Sequence, residues 1–479
     1  MTPSPDPEAA TPSLYEKQRI IYPQRVKGLF RKLKWAIVAV LLGLYYLIPW
    51  IRWDRGPDAP SQAVLVDIQG GRLYFFGGEI WPQEVYYLTG LLIIGAIGLF
   101  LVTAIAGRVW CGFTCPQTVW TDLFLYVERL IEGDRNRRMK LDKGPLTLNK
   151  AVKKIVKHVA WLVIAALTGG AWIWYFNDAF TVTRDLFTGR ASLTIYGFVG
   201  LFTGTTYLLA GWAREQVCMY MCPWPRFQGA MFDEDSLIVT YETWRGEPRG
   251  KHRKSTEADE LGDCIDCNLC VNVCPMGIDI RDGQQMECIG CALCVDACND
   301  VMDRMDYPRG LITYDSISNQ VAREKGQEKH FRLLRPRTAV YMAILLVVIG
   351  VMAFSMATRK SLEINIQRDR SPLFVTLSDG SIRNGYTYKI LNMIREDRTF
   401  ILSVHGLEKA KISVIGLQKN WSDAVVLPVK ADRVGTFRVF VRAPRQSLSG
   451  RSSEVDFRLI EKAKNQETDQ ETLFYGPRK

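Results

Sequence analysis

Five long apolar runs, a doubled run of four cysteines and a closing series of short β-like runs predict a multi-domain membrane protein. Its parts are a five-span α-helical membrane domain, a cytoplasmic two-cluster ferredoxin-like domain of the bacterial type, and a C-terminal Ig-like β-sandwich. At 479 residues the chain is too long for one ordinary core, so several domains are expected.

The apolar runs are Trp35–Ile51, Val85–Gly107, Val159–Phe176, Ala191–Ala213 and Thr338–Thr358. About 20 apolar residues cross a bilayer as a helix. The first and third runs are somewhat short, but Trp and Tyr near their ends suit interfacial anchoring. Lys17, Arg19, Arg25, Lys27, Arg31, Lys32 and Lys34 crowd the stretch before the first run. Arg135, Arg137, Arg138, Lys140, Lys143, Lys150, Lys153 and Lys154 lie between the second and third. The loop after the first run has only Arg52, Arg55 and Arg72, beside five acidic residues. Basic loops stay inside, which predicts a multi-pass protein of the bacterial inner membrane with a cytoplasmic N-terminus and a periplasmic C-terminal domain. The net charge of +11 then reports topology and attraction to membrane lipid, and calls for no nucleic acid. The first 34 residues are polar, proline-containing and basic, so no cleavable signal peptide is expected.

The expected layout is a cytoplasmic tail over 1–34 and a four-span domain over 35–213 containing the first C-x-x-x-C-P. A cytoplasmic segment over 214–337 holds the second C-x-x-x-C-P and a ferredoxin-type domain at about 255–310. A fifth helix over 338–358 leads to the sandwich over 359–479. There, short runs from "SLEINIQ" to "EVDFRLIE" are broken by Gly, Asn, Asp and Pro, as in an Ig-type fold. That last domain has no cysteine and hence no disulfide staple. A weak internal repeat recurs in the membrane part: a span, C-x-x-x-C-P, then an amphipathic stretch.

All twelve cysteines fall on the side predicted to be cytoplasmic, where thiols stay reduced, so metal or redox roles are favoured over bridges. "CIDCNLCVNVCP" sets Cys264, Cys267, Cys270 and Cys274; "CIGCALCVDAC" sets Cys288, Cys291, Cys294 and Cys298. This is the spacing of two-cluster bacterial ferredoxins, in which the fourth cysteine of each run serves the other 4Fe–4S cluster. Cys264, Cys267 and Cys270 therefore pair with Cys298, and Cys288, Cys291 and Cys294 with Cys274. A zinc ribbon is the rival, but three cysteines at x-x intervals suit a cube better than a tetrahedral ion. One departure is Asn299 after Cys298, where the ferredoxin pattern has proline.

"CGFTCP" at Cys111 and Cys115 and "CMYMCP" at Cys218 and Cys222 each follow a membrane run. Residues four apart share a helix face, yet their β-carbons are too far apart for an unstrained disulfide. The trailing prolines place Cys115 and Cys222 where helices end. Four sulfurs at one membrane edge, with Met219 and Met221 beside them, suit Cu(I), zinc or an iron–sulfur centre. The alternative is burial as small hydrophobes. No G-x-G-x-x-G follows a strand and no C-x-x-C-H occurs, so the electron source lies outside this chain. His158, alone among the four histidines in lying near a span, reads as an interfacial residue.

"GRLYFFGGEIWPQE", "GRVWCGFTCPQTVWTD", "EQVCMYMCPWPRFQ" and the paired cysteine runs, followed by a sandwich, resemble the FixG/CcoG/RdxA family of cytochrome oxidase accessory proteins. The resemblance runs from Tyr15 to the end and keeps motif order. It implies reduction of Cu(II) to Cu(I) and copper delivery during assembly of a cbb-type cytochrome c oxidase. Cys111, Cys115, Cys218 and Cys222 would then handle copper, and the eight ferredoxin-type cysteines would carry electrons. Implied partners are oxidase assembly factors and copper chaperones or transporters; the electron donor is unnamed and a homodimer stays open. The chemistry agrees, since thiolate and thioether favour Cu(I) whereas Cu(II) prefers nitrogen and oxygen. Two other readings remain at this stage, a quinol-linked electron conduit and a non-catalytic assembly scaffold. A conduit needs a response to quinone; a scaffold tolerates loss of the clusters.

Overall fold

The computed structural model describes residues 20–56, 59–251, 261–327, 331–359, 362–394, 396–417, 420–463 and 467–477. The chain divides into two compact units, Met1–Asp54 with Pro60–Met352, and Arg55–Ala59 with Ala353–Lys479.

In the first unit α1 (Leu29–Leu47) precedes an antiparallel three-stranded sheet, β1 (Val64–Asp67), β2 (Arg72–Phe75) and β3 (Gly78–Ile80). The sequence alone predicts a loop there. Gly71 at φ 65° turns the β1–β2 hairpin, and Arg72 stacks 3.9 Å over the Trp81 ring while pairing with Glu79 at 2.8 Å. Then come α2 (Tyr86–Ala106), α3 (Pro116–Glu132), α4 (Arg135–Lys143), α5 (Leu148–Trp174), α6 (Ala179–Thr188) and α7 (Leu193–Thr206). Among the described residues five helical segments are long and apolar enough to span a bilayer: Leu29–Trp50, Pro82–Ala106, Leu148–Trp174, Leu193–Ala213 and Pro336–Ala357.

Two boundaries differ from the sequence reading. The 1–34 tail is helical from Leu29, and Arg31 and Lys34 are buried because Asp122 of α3 pairs with them at 3.0 and 3.2 Å. Residues 1–19 of that tail lie outside the described residues. The third span starts at Leu148, since Lys154 and Lys157 pair with Glu132 at 2.9 and 3.1 Å and let the basic stretch remain helical.

The cysteine-rich part of this unit comprises α8 (Trp224–Gly229), β4 (Ile238–Tyr241), α9 (Thr243–Gly246), α10 (Leu269–Val273), α11 (Leu293–Arg304), β5 (Ile312–Asp315) and α12 (Ile317–Glu324). β4 and β5 pair antiparallel and close the two cysteine runs between them. This part is fastened to the helix ends. The Leu237 amide donates to the Ile105 carbonyl at 3.0 Å, and the Ser236 hydroxyl to Ala104 at 2.7 Å. The Asp296 carboxylate of α11 accepts from the Phe30 and Arg31 amides at 3.2 and 2.7 Å, so a ferredoxin-type helix caps a membrane helix. α13 (Pro336–Ala357) follows.

The second unit is a sandwich with nine strands among the described residues. β6 (Leu362–Arg368), β7 (Val375–Thr376), β8 (Ile382–Asn392), β10 (Lys411–Val414) and β12 (Arg433–Ala443) form one sheet, ordered β10-β12-β8-β6 with β7 on β8. β9 (Arg398–His405), β11 (Ala424–Val429), β13 (Ser452–Glu461) and β14 (Glu467–Tyr475) form the other, ordered β11-β9-β13-β14. Alternating residues face inward, and Tyr386, Tyr388, Phe400, Phe457 and Phe474 fill a cysteine-free core.

Candidate metal centres and thiol loops

The two ferredoxin-type runs fold alike. In the first, Asp266 and Asn268 take φ of 50° and 56°; at the matching positions of the second, Gly290 and Ala292 take 67° and 55°. Asp, Asn and Gly adopt this region readily, whereas Ala292 is held there against its Cβ, which marks a loop shaped by what it surrounds. The runs diverge at their ends. Cys274 leaves α10 in an extended conformation before Pro275, but α11 continues through Cys298 to Arg304. Asn299 permits this, since proline there would delete an amide and strike the preceding turn. Its Oδ1 accepts instead from the Gly310 amide at 3.1 Å.

Cys264, Cys267, Cys270 and Cys298 line one small cavity. Cys274, Cys288, Cys291 and Cys294 line a second, whose wall Cys270 also joins. The remaining walls are mainly apolar, among them Leu311 and Ile312 in the first and Ile278 and Ile289 in the second. Burial pushes the thiols up, Cys270 and Cys288 to about 11 and Cys274 and Cys298 to about 12. Unloaded, they hold their protons at neutral pH, and binding iron displaces them. Among the described residues no three Cys, His, Asp or Glu gather as around a single metal ion. Four sulfurs lining each cavity, in the doubled ferredoxin spacing, fit a 4Fe–4S cube.

The C-x-x-x-C-P loops are π-turns, Trp110–Thr114 and Val217–Met221. The Cys115 amide donates five residues back to Trp110 at 2.9 Å, and the Cys222 amide to Val217 at 2.8 Å. Both cysteines are extended, at ψ 128° and 122°, as the following proline requires. Four residues before the first thiol of each loop the backbone enters positive φ, at Gly107 (58°) and Arg214 (40°). The internal repeat is therefore present in conformation, and π-turns of this kind recur at functional sites. The Gln117 amide joins the loops by donating to the Leu209 and Arg214 carbonyls at 2.8 and 3.1 Å. Cys111, Cys115 and Cys218 are half-buried and Cys222 is exposed. Burial, reinforced by Cys115, pushes Cys111 and Cys218 up to about 12. The Cys111 thiol donates to Gln228 at 3.2 Å.

The first thiol loop rests on the second ferredoxin-type run. A Cβ added at Gly112 would lie 2.9 Å from the Cys291 N and Cα and from the Ile289 carbonyl oxygen. Cys111, Cys218 and Met219 pack with Cys291, Ile289 and Leu293 in one apolar cluster. Arg108 Nη1 donates to the Met286 and Cys288 carbonyls, the latter at 3.1 Å, and Nη2 to Pro225 at 2.8 Å. A belt of buried charge lies along α3. Burial alone would raise the Asp122 carboxyl, but Lys34 and Arg31 overcome it and hold it below the usual range. Arg214 and Arg138 do the same for Glu128, with Arg214 at 2.6 Å. His158 sits 2.9 Å from the Tyr207 hydroxyl among Trp161 and Trp212, in an aromatic setting. Sequence reasoning did not single out Arg108, Gly112, Gln228 or Asp296; the glycine inside "CGFTC" was the one local signal.

Helices able to span a bilayer, carrying a ferredoxin-type double cysteine run on their ends, define a membrane iron–sulfur protein of the electron-transfer type. Family models match a 4Fe–4S dicluster domain over residues 213–317, a 4Fe–4S binding domain over 88–137, and the Ig-like fold found at the C-terminus of FixG over 352–477. The nitrogen fixation protein FixG of Rhizobium meliloti is 49% identical, over 93% of this chain and 90% of its own length. Proteins RdxB and RdxA of Cereibacter sphaeroides are 47% and 48% identical, over 98% and 93% of this chain and 99% and 94% of theirs. The chain belongs to the FixG/RdxA family.

Proposed function

We propose that this protein is a cupric reductase of the bacterial inner membrane, supplying Cu(I) during assembly of a cbb-type cytochrome c oxidase. In this reading the ferredoxin-type part is cytoplasmic and the sandwich periplasmic, where it meets assembly factors and copper chaperones or transporters. Cys264, Cys267, Cys270 and Cys298 would hold one 4Fe–4S cluster, and Cys274, Cys288, Cys291 and Cys294 the other. When bound, such clusters supply one-electron transfer. The observation that carries the reading is the seat of Gly112 on Cys291, which brings the thiol loop against the backbone of the second cysteine run.

The chain's own residues do the rest. Arg108 and Gln117 hold the two loops together, and the apolar walls keep water from the cavities. Cys111, Cys115, Cys218 and Cys222 offer soft donors that bind Cu(I) better than Cu(II), which favours reduction of the substrate ion. The step is one electron from a soluble one-electron reductant to Cu(II), giving Cu(I), with no atom or bond transferred. Release of thiol protons accompanies capture of copper by Cys111 and Cys218.

The test uses full-length, iron-loaded protein in detergent, with a low-potential one-electron donor, Cu(II) and a Cu(I)-specific chromogenic chelator. Cys111→Ser/Cys218→Ser should keep its iron and lose most of the Cu(I) formation. Unchanged Cu(I) formation would contradict the assignment. Reporters fused after residue 370 and near residue 255 check sidedness: the first should be active outside the cytoplasm and the second inside.

A further inference from the structure

Each candidate cluster site has one arginine beside it, and their surroundings differ. Arg281 comes within 4.0 Å of the Cys264 sulfur, but Asp266 and Asp279 answer its charge at 2.7 and 2.6 Å. Arg108 is 6% exposed, and among the described residues no carboxylate reaches ion-pair distance of it. Its Nη groups donate to backbone carbonyls, its guanidinium lies 5.7 Å over the Phe232 ring, and its Nε is buried with no hydrogen-bond partner. It reaches the Cys288 carbonyl at 3.1 Å, and a Cβ on Gly290 would meet Arg108 at 3.2 Å, while Glu287 is exposed.

A buried guanidinium without a counter-ion is costly, and carbonyl dipoles offset only part of that cost. Extra negative charge placed near it is correspondingly stabilised. Arg108 lies on the Cys288 carbonyl, between the second cysteine run and Cys111. The Arg281 charge is already cancelled by two carboxylates, so it favours added charge much less. Solvent access acts on the potentials in the opposite sense, because burial disfavours added negative charge, and what it sets is entry: Cys267 is exposed whereas Cys291 is buried under Gly112, so an outside reductant reaches the first site.

We propose that Arg108 makes the Cys274/Cys288/Cys291/Cys294 site the higher-potential one of the pair, giving the electron path a direction from the exposed Cys267 side toward the thiol loops. Arg108 is a positioning residue in this scheme, acting through a fixed charge. One electron is received from a soluble low-potential reductant and comes to rest beside Arg108, with no bond made or broken. The inference rests on the assignment of eight cysteines to two clusters and is independent of copper.

The experiment is a copper-free, anaerobic redox titration of the full-length protein reduced with dithionite and followed by EPR. Two midpoints are expected, and the higher should survive Cys267→Ser, whether that variant keeps or loses its own cluster. Arg108→Gln should lower the higher midpoint by about 59 mV, a tenfold change for one electron, and leave the lower one in place. Arg108→Lys, which keeps the charge without the fork, should hold the midpoint near its native value. The inference is overturned if Cys267→Ser alters the higher midpoint, or if Arg108→Gln moves both midpoints or neither. If Arg108→Gln fails to load iron, the Cys267→Ser assignment and the Arg108→Lys midpoint decide. Iron content separates two failures: about eight irons per chain with the reverse order defeats this inference alone, while fewer irons in the native protein defeats the cluster assignment beneath it.

Discussion

Gly112→Ala tests the contact on which the functional reading depends. The new methyl group would meet three backbone atoms of Cys291 and Ile289 at 2.9 Å, and ordinary contact begins at 3.4 Å. The loop and the ferredoxin-type run must therefore part by about 0.5 Å, and neither obstacle is a side chain able to swing aside. Overpacking of this kind costs about 1–3 kcal/mol, or roughly 5- to 150-fold in the seated fraction. Hydrogen exchange of amides 288–294 should accelerate to that extent, and Cu(I) formation should fall with it. Gly98→Ala in α2 is the control, since a Cβ there meets nothing within 4 Å. If Gly112→Ala exchanges and reduces copper as Gly98→Ala does, the seat has no functional part.

Three further outcomes are expected. Asp122→Asn leaves Arg31 and Lys34 buried without their carboxylate and should cost about 3–5 kcal/mol, read as a lower thermal midpoint in detergent. Because the native Asp122 carboxyl is held below the usual range, its contribution is complete above the unfolded value of about 3.9 and is lost as pH falls through the lower native value; acid unfolding of the parent and Asp122→Asn should converge there. Asn299→Pro breaks α11 just past Cys298, at a cost of about 3 kcal/mol, so iron at the first site should fall while the second site stays loaded. Phe474→Ala, at 0% exposure in the sandwich, should cost about 3–5 kcal/mol and lower the midpoint of the second unit without changing iron content.

What could be read from the sequence was what is encoded locally. Cysteine spacing suggests which thiols can surround a common centre, and in the structure Cys298 lines one cavity with Cys264, Cys267 and Cys270. Helix ends at Cys115 and Cys222 follow from the next residue being proline. β14 escaped notice because "ETDQETLFY" carries mostly polar outward residues, as an edge strand tolerates, and only Phe474 signals its inner face. The basic stretch before Val159 looked like loop because its helix depends on Glu128 and Glu132, acids on another element. Arg108 was one more arginine in a basic chain. The role proposed for it depends on Cys288, 180 residues away, and on no carboxylate coming within ion-pair distance among the described residues, which local pattern does not encode.

The most direct test of the account is a single-turnover count. Iron-loaded protein is reduced, freed of excess reductant and mixed anaerobically with Cu(II) and a Cu(I) chelator. The parent should yield about two Cu(I) per eight irons, one for each reduced cluster, as the iron–sulfur absorbance recovers. Cys111→Ser/Cys218→Ser should hold its reduced clusters while Cu(I) fails to appear on that timescale. Equal yield and equal rate from the variant would show that copper takes its electrons without the thiol loops, and would contradict the account.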